Sequence, residues 1–417
     1  MTDLDESVVP HGTPLRFRLE QLLGGVIGKR FDDVLAGISD GQLTMTWPDG
    51  SATRHGSHSG TVEHNAHIRL HRFRAVWRMM LGGEVGFAEG YLRGDWSADN
   101  LVDLFSLVMR NESAIADATG GNRLARVRNA LRHALNRNSE RGSRRNIAYH
   151  YDLGNDFYRL WLDPGMSYSS ALFERGESSL EEAQRAKLVR VESLLAPGRG
   201  DRVLDIGCGW GALAEHLAAR RGCHVDAISL SASQLAWARR HSMIEAANGG
   251  GGTTFEQRDY RLVEGRYDGV VSIEMFEAVG ERYWRTYFDK LAALLERGGT
   301  AVMQVITIRE ERFDAYRSSP DFIQRYVFPG GMLPSRAHLV TLADGAGFDL
   351  VHDEWFGASY ARTLASWRER FERASREVIA QGFDERFLRM WRYYLAYCEA
   401  GFRHGSTDVG LLKLVRR

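Results

Sequence analysis

Glycines 207, 209 and 211, set directly behind the apolar run Val203, Leu204 and Ile206, are the residues of this chain best suited to hold a small ligand. A buried strand that runs into a tight glycine turn lets backbone approach a ligand closely, and the next residues, Ala212 to Ala218, read as a helix opening from that turn. Such a turn also joins strands to helices for packing alone, so its surroundings must decide the ligand. A dinucleotide site would show G-x-G-x-x-G and an acid at the end of the second strand. Here the third glycine falls at the wrong spacing and Asp205 stands two residues before the first. The second strand ends Asp226-Ala227-Ile228-Ser229-Leu230-Ser231, so Ser229 and Gln234 are better placed than Asp226 for a ribose. The pattern favours a nucleoside with an amino-acid tail over a pyrophosphate.

The elements that must position this turn follow from periodicity. Strands are expected at 202–206, 224–228, 253–257, 267–273, 300–308 and 348–355, with helices at 179–195, 212–220, 232–247, 281–295 and 335–346. That alternation predicts an α/β fold with a doubly wound, parallel-type sheet and a ligand at the carboxyl ends of its strands. Upstream the chain reads as a smaller α+β domain: a helix over 15–36, a hairpin turning at Pro48-Asp49-Gly50, a strand over 67–77 and a helix over 100–109. No nucleophile-and-base pair is recognisable there. The expected divisions are 1–120 for this accessory domain, 121–145 for a basic helix and linker, and 146–417 for the α/β domain.

With 417 residues the chain can bury two cores. Lys plus Arg and Asp plus Glu each number 54, so affinity for an anionic partner must come from local clusters. Cys208, Cys223 and Cys398 are too few and too scattered for a disulfide framework or a zinc site, and no metal is expected. The N-terminus lacks the pattern of a secretory signal, and no apolar run approaches the roughly 18 to 20 residues that span a bilayer. These features predict a cytoplasmic protein, soluble or peripheral. Residues 122–146 hold eight arginines against one acid, Glu140, with Leu124, Val127, Leu131 and Leu135 at helical spacing. This is either a solvated linker or an amphipathic helix that adsorbs to an anionic bilayer, where each arginine contributes about 1 kcal/mol. Nucleic acid ranks last, because no helix-turn-helix, zinc-finger or RNP-like pattern accompanies the arginines.

Several blocks, in order, resemble the cyclopropane fatty-acyl-phospholipid synthases and the related mycolic acid methyltransferases. They are His150 to Phe157; Leu162-Asp163-Pro164 with Met166 to Ala171; Glu182-Ala183-Gln184 with Lys187; Val203 to Gly211; Ser272 to Gly280; Tyr326 to Ser335; Tyr360 to Leu364; and Tyr394 to Arg403. The resemblance runs from about Asn146 to the C-terminus, with a looser likeness upstream. It implies a class I S-adenosylmethionine methyltransferase domain that transfers a methyl group to the cis double bond of unsaturated acyl chains in membrane phospholipids, giving a cyclopropane. It implies Tyr168, Ser169, Gly207 and Gly209 at the methionine end of the cofactor, with Asp205 beside them. Ser229, Leu230 and Gln234 would lie at the ribose, and Asp259 and Tyr260 near the adenine. For Leu230 and Tyr260 core packing is an equal alternative.

Methylating an alkene leaves a carbocation that water would quench, so the pocket must be dry; aromatic faces stabilise the charge without adding a nucleophile. Tyr168, Phe173, Phe276, Tyr360 and Trp367 are candidates, Tyr168 and Tyr360 foremost. Ring closure needs a base. In the family that base is a bound bicarbonate held by a glutamate, a tyrosine, a histidine and backbone groups beside a cysteine. Carried across, these become Glu277, Tyr360 and the backbone of Ile306, with Ser170 in place of the common cysteine and Gln304 in place of the histidine. Glutamine can hydrogen-bond an anion but cannot carry a proton. The expectation is a bicarbonate or water still held between Glu277 and Tyr360, with a weakened proton relay that opens a second outcome, a methyl-branched or methylene product. Cys398 is expected to be structural. A small-molecule methyltransferase and a lipid-binding protein with a degenerate catalytic domain are the competing readings. The resemblance places the protein on the inner face of the cytoplasmic membrane and leaves a reductase partner and a homodimer open.

Overall fold

The computed structural model describes residues 25–56, 65–119, 153–174, 179–242, 251–318 and 321–417. The arginine run at 122–146 and the motif start at His150 lie outside the described residues. The chain divides into two compact units, Met1–Ala125 and Arg126–Arg417.

In the first unit α1 (Gly25–Ala36) precedes the hairpin of β1 (Gln42–Thr46) and β2 (Ala52–Gly56), and β3 (Asn65–Leu70) pairs parallel to β1. The strand expected over 67–77 stops at Leu70, and Arg74–Leu92 forms helix α2, kinked at Gly83 with φ 58°. Two of its glycines allow close contact: a Cβ at Gly86 would lie 1.9 Å from the Arg78 carbonyl oxygen, and one at Gly90 3.0 Å from the Trp96 ring. β4 (Trp96–Ala98) completes the order β2-β1-β3-β4, and α3 (Leu101–Arg110) starts at Asn100, whose side chain accepts from the Val102 N–H at 2.9 Å.

The second unit is built on seven strands: β5 (Arg202–Ile206), β6 (His224–Ser229), β7 (Gly252–Gln257), β8 (Tyr267–Ile273), β9 (Leu295–Ile308), β10 (Phe348–Trp355) and β11 (Thr407–Arg416), in the order β10-β11-β9-β8-β5-β6-β7. β5 through β9 pair in parallel, and β11 runs antiparallel to both β9 and β10. Six strands lie where periodicity put them; β11 was not expected. Its apolar run Val409 to Leu412 is buried on both faces, which removes the alternation by which an antiparallel strand is usually read.

Helices α4 (Leu180–Leu195), α5 (Ala212–Arg221), α6 (Ala232–His241), α7 (Trp284–Leu294), α8 (Arg336–Gly345), α9 (Gly357–Arg373) and α10 (Glu385–Arg403) surround the sheet. α4 opens with a capping box, Ser179 and Glu182 bonding each other's backbone N–H. One apolar layer joins Trp284, Tyr287, Phe288 and Leu291 of α7 to Leu204, Ile206 and Met303 of the sheet. The other joins Val191 of α4 and Leu213 and Leu217 of α5 to Val203, Val225 and Leu411. Each such side chain contributes about 1.5–3 kcal/mol on burial, which holds β5 rigid up to the residue before its glycine turn.

Candidate active site

The turn after β5 is built as the sequence predicts. Gly207, Gly209 and Gly211 all have left-handed φ, at 86°, 56° and 93°. A Cβ on Gly207 would press within 2.7 Å of Met275, whereas one on Gly209 would enter open space. The left-handed backbone at Gly209 is therefore not demanded by a packed neighbour, which suits a position kept clear for a ligand. Asp205, at the end of β5, is 2% exposed and its Oδ2 has no hydrogen-bond partner among the described residues. Burial pushes it up to about 7, opposed by Lys187.

Lys187 was not singled out beyond its place in a motif. It projects from α4, is 3% exposed, and donates from Nζ to Ser169 Oγ at 2.8 Å. Burial lowers it to about 8, and Glu274, Asp163 and Asp205 pull it back toward the charged form. One turn before it, Gln184 donates to the Ser169 carbonyl at 2.9 Å. α4 thereby holds the 167–171 segment from behind. The Asp163 carboxylate fixes its near end by accepting from the N–H groups of Gly165 and Ser167 at 2.8 and 2.9 Å.

Ser170, Gln304 and Tyr360 do converge, but on Glu274 and not on Glu277. Glu274 Oε1 accepts from the Ser170 N–H at 2.8 Å and from Gln304 Nε2 at 2.7 Å, and Oε2 accepts from the Tyr360 hydroxyl at 2.7 Å. Gln304, fully buried on β9, also donates to the Ser170 carbonyl at 3.3 Å. Glu277 instead accepts from the Ile306 N–H at 2.5 Å, and its Oε2 is buried without a partner among the described residues. The expected cradle for a bicarbonate between Glu277 and Tyr360 is thus corrected. The tyrosine hydroxyl and the Ser170 amide have one proton each, and both protons are already given to a carboxylate of the chain. A separate anion does not fit there.

Burial raises both carboxyls. Glu277 rises to about 8, pushed further by Glu274; Glu274 is raised as well, with the Ser170, Tyr360 and Gln304 hydrogen bonds and Lys187 drawing it back. Solvent still reaches part of both residues, although protein surrounds their carboxyl groups. The Ser170, Gln304 and Tyr360 donors and Lys187 favour charge on Glu274, whereas Glu277, opposed only by main-chain N–H groups, is the neutral acid near pH 7. Tyr360 is pushed well above the usual phenol value by burial and by Glu274, which keeps it a donor.

The Tyr168 ring lies 5.4 Å from Tyr158, 5.5 Å from Trp161 and 5.4 Å from Trp367, and its hydroxyl meets that of Tyr394 at 2.8 Å. Tyr360 packs on Trp367 at 6.1 Å and on Phe402 at 4.4 Å. Tyr168, Tyr360 and Trp367 therefore form one aromatic wall. Phe276 does not belong to it; it sits in the core against Tyr287 at 5.2 Å and Phe288 at 5.4 Å. Phe173 is capped by the Arg362 guanidinium 4.1 Å from its centroid. At the end of β6, Ser229 Oγ donates to Gln234 Oε1 at 3.1 Å and accepts from the Ser231 N–H, while the Leu230 carbonyl takes the Gln257 amide at 3.0 Å. The Asp259 carboxylate is committed to Arg261, whose Nε and Nη2 approach to 2.8 and 2.6 Å. Tyr260 packs on Tyr287 at 5.1 Å, beside the core. Burial pushes the Cys398 thiol far up, as suits a packing residue.

A sheet in this order, with an antiparallel strand set between the last two parallel ones and a glycine turn after the central β5, defines the class I S-adenosylmethionine-dependent methyltransferases. The open space at Gly209 and the unpartnered Asp205 oxygen fit that cofactor. The family described as mycolic acid cyclopropane synthetase matches residues 138–412, and the chain belongs to it. It is 37% identical over 384 residues to a tuberculostearic acid methyltransferase of Mycobacterium tuberculosis, covering 90% of this chain and 88% of that protein. It is 34% identical over 352 residues to the cyclopropane-fatty-acyl-phospholipid synthase of Escherichia coli, covering 84% and 87%. Among solved structures, the cyclopropane synthase MmaA2 of M. tuberculosis aligns with a TM-score of 0.61 at 30% identity, over 66% of this chain and 98% of that one. The mycolic acid cyclopropane synthase CmaA1 complexed with SAH and CTAB aligns with a TM-score of 0.61 at 29% identity, over 66% and 98%. The protein is an S-adenosylmethionine-dependent lipid methyltransferase.

Proposed function

We propose that this enzyme methylates the cis double bond of unsaturated acyl chains in membrane phospholipids. The observation that carries the reading is the aromatic wall of Tyr168, Trp367 and Tyr360 beside a buried carboxylate, because an acceptor that becomes a carbon cation needs ring faces and then a base. The bound cofactor supplies an electrophilic sulfonium methyl. In this reading Tyr168, Ser169, Gly207 and Gly209 hold its methionine end, with Asp205 beside the turn, and Ser229, Leu230 and Gln234 the ribose. With the Asp259 carboxylate taken by Arg261, any contact to the adenine from Asp259 falls to its main chain, and Tyr260 is a packing neighbour.

The arginine-rich segment 122–146 brings the enzyme peripherally to the anionic inner face of the membrane; among the described residues no helix is long and apolar enough to cross a bilayer. A cyclopropane is the first expected product. The glutamine at 304 favours a second, methylene or, with a reductase supplying hydride, methyl-branched. Labelled methyl donor incubated with vesicles of unsaturated anionic phospholipid, or with soluble extract, tests the reading. Label is expected in the acyl chains. Label confined to the soluble fraction would overturn it.

A further inference from the structure

We propose that Glu274 is the enzyme's own catalytic base, its carboxylate standing where the reaction would otherwise need an anion from solution. The inference rests on the methyl-transfer reading and concerns how its cation is discharged.

Three donors from separate parts of the chain meet at this one side chain: a main-chain amide at Ser170, a side-chain amide on β9 and a phenol on α9. Such a set is what an anion site in a dry pocket requires, and here the chain fills it itself. Among the described residues Oε2 has only the Tyr360 hydroxyl on it, which leaves lone-pair capacity toward the aromatic wall of which Tyr360 is part.

The backbone points the same way. Glu274 has φ 50°, one of three non-glycine residues with positive φ among the described residues. Glycine takes that conformation without cost and glutamate does not. A residue kept in such a conformation at a site is held by its surroundings, here by its N–H bond to the Gln304 carbonyl at 2.8 Å and by the three donors on its carboxylate. Strain of this kind, spent on a carboxylate, marks function more than packing. The ionisation state also suits a base. Lys187 balances the charge, and the neighbouring Glu277, which accepts from main-chain N–H groups alone, is the member of the pair that stays neutral.

The step balances without oxidant or reductant. Once the alkene π pair has bonded the methyl carbon to one alkene carbon, with the methyl–sulfur pair left on the departing neutral thioether, the adjacent carbon is positive. Glu274 takes a proton from the new methyl group, and the C–H pair closes the bond to the cationic carbon as a three-membered ring. If a hydride has first moved from the methyl-bearing carbon to its positive neighbour, the same proton loss leaves the pair as an exocyclic double bond. In both cases cation and carboxylate become neutral lipid and neutral carboxylic acid.

Two variants test this with label turnover and with binding of carbon-labelled bicarbonate followed by NMR. Wild-type turnover is expected to be indifferent to removal of carbon dioxide and bicarbonate. Glu274→Gln keeps the shape and loses the base, so kcat should fall about 100-fold or more with S-adenosylmethionine affinity within about threefold. Glu274→Gly suits the left-handed backbone and empties the cradle, so it should be equally slow, bind bicarbonate and regain turnover with bicarbonate or formate. Loss of wild-type activity on bicarbonate removal, or full turnover by Glu274→Gln, would overturn the assignment. If the wild type labels no lipid, the methyl-transfer reading fails, and the binding arm decides the cradle alone: bicarbonate bound by Glu274→Gly and not by wild type upholds Glu274 as the resident anion, and bicarbonate bound by wild type overturns it.

Discussion

Replacing Glu277 by glutamine should remove a pH-dependent penalty and leave the fold intact. Burial, with Glu274 adding to it, pushes the Glu277 carboxyl up to about 8, against compensating hydrogen bonds from the Ile306 amide and its own. A carboxyl that titrates higher in the folded than in the unfolded chain favours folding below its ordinary value of 4.5, and that advantage is lost as pH rises through about 8. The gap between 4.5 and about 8, at about 1.36 kcal/mol per pH unit, is roughly 5 kcal/mol. This is an upper limit, because solvent reaches part of the residue and the pair with Glu274 shares the cost. Glutamine copies the neutral acid in shape, and its amide oxygen can accept the Ile306 N–H. Urea unfolding from about pH 5 to 8.5 should show wild-type stability falling more steeply than that of the variant, which should lead by about 2–4 kcal/mol at the alkaline end. Turnover near pH 7 should stay within a few-fold. Parallel stability curves, or a variant less stable at high pH, would refute a neutral buried Glu277. Lost turnover at pH 7 with intact cofactor affinity would show that its ionised form takes part in the chemistry.

Gly209→Val should cost at least about 100-fold in S-adenosylmethionine affinity by calorimetry, with roughly 1–2 kcal/mol of stability from its left-handed φ; unchanged affinity would remove the turn from the cofactor site. Gln304→His replaces an amide that donates to Glu274 with a group that can also carry the proton onward, so lipid analysis should show the ring product gaining on methylene or methyl-branched chains. Pure cyclopropane from both forms would show that this position is silent in product choice. Changing Arg123, Arg126, Arg128 and Arg132 to glutamine should weaken binding to anionic vesicles and mimic added salt. Vesicle binding indifferent to both would return the segment to a linker.

The parts legible from sequence were those in which one local pattern has one structural solution. An apolar run into three closely spaced glycines became β5 and its turn, and the alternation beyond it gave the parallel strands within a residue or two, apart from an earlier start to β9. β11 was hidden because both its faces are buried and, set antiparallel between β9 and β10, it falls outside the parallel alternation. The helix at 74–92 was hidden by its glycines, of which Gly86 and Gly90 serve close packing and Gly83 forms a kink.

The site divides the same way. A family likeness carries roles only onto positions that match; it named Ser170, Gln304 and Tyr360 together with Glu277, and the structure gathers those three on Glu274 instead. Glu274 and Glu277 lie three residues apart in the segment that follows β8, and nothing in the sequence says which of them meets Ser170, Gln304 and Tyr360. That choice is made by the positive φ at Glu274 and by β9, whose Gln304 carbonyl takes the Glu274 N–H and whose Gln304 side chain takes the carboxylate. The departure from histidine at 304 and the carboxylate at 274 are therefore one feature. A glutamine, always able to donate and never charged, is the partner a permanent anion needs, whereas a histidine would join that anion in sharing a proton. On this reasoning Gln304→His and Glu274→Gly should be strongly non-additive: each alone disturbs a matched pair, and the double variant should recover turnover with bicarbonate more fully than Glu274→Gly does alone.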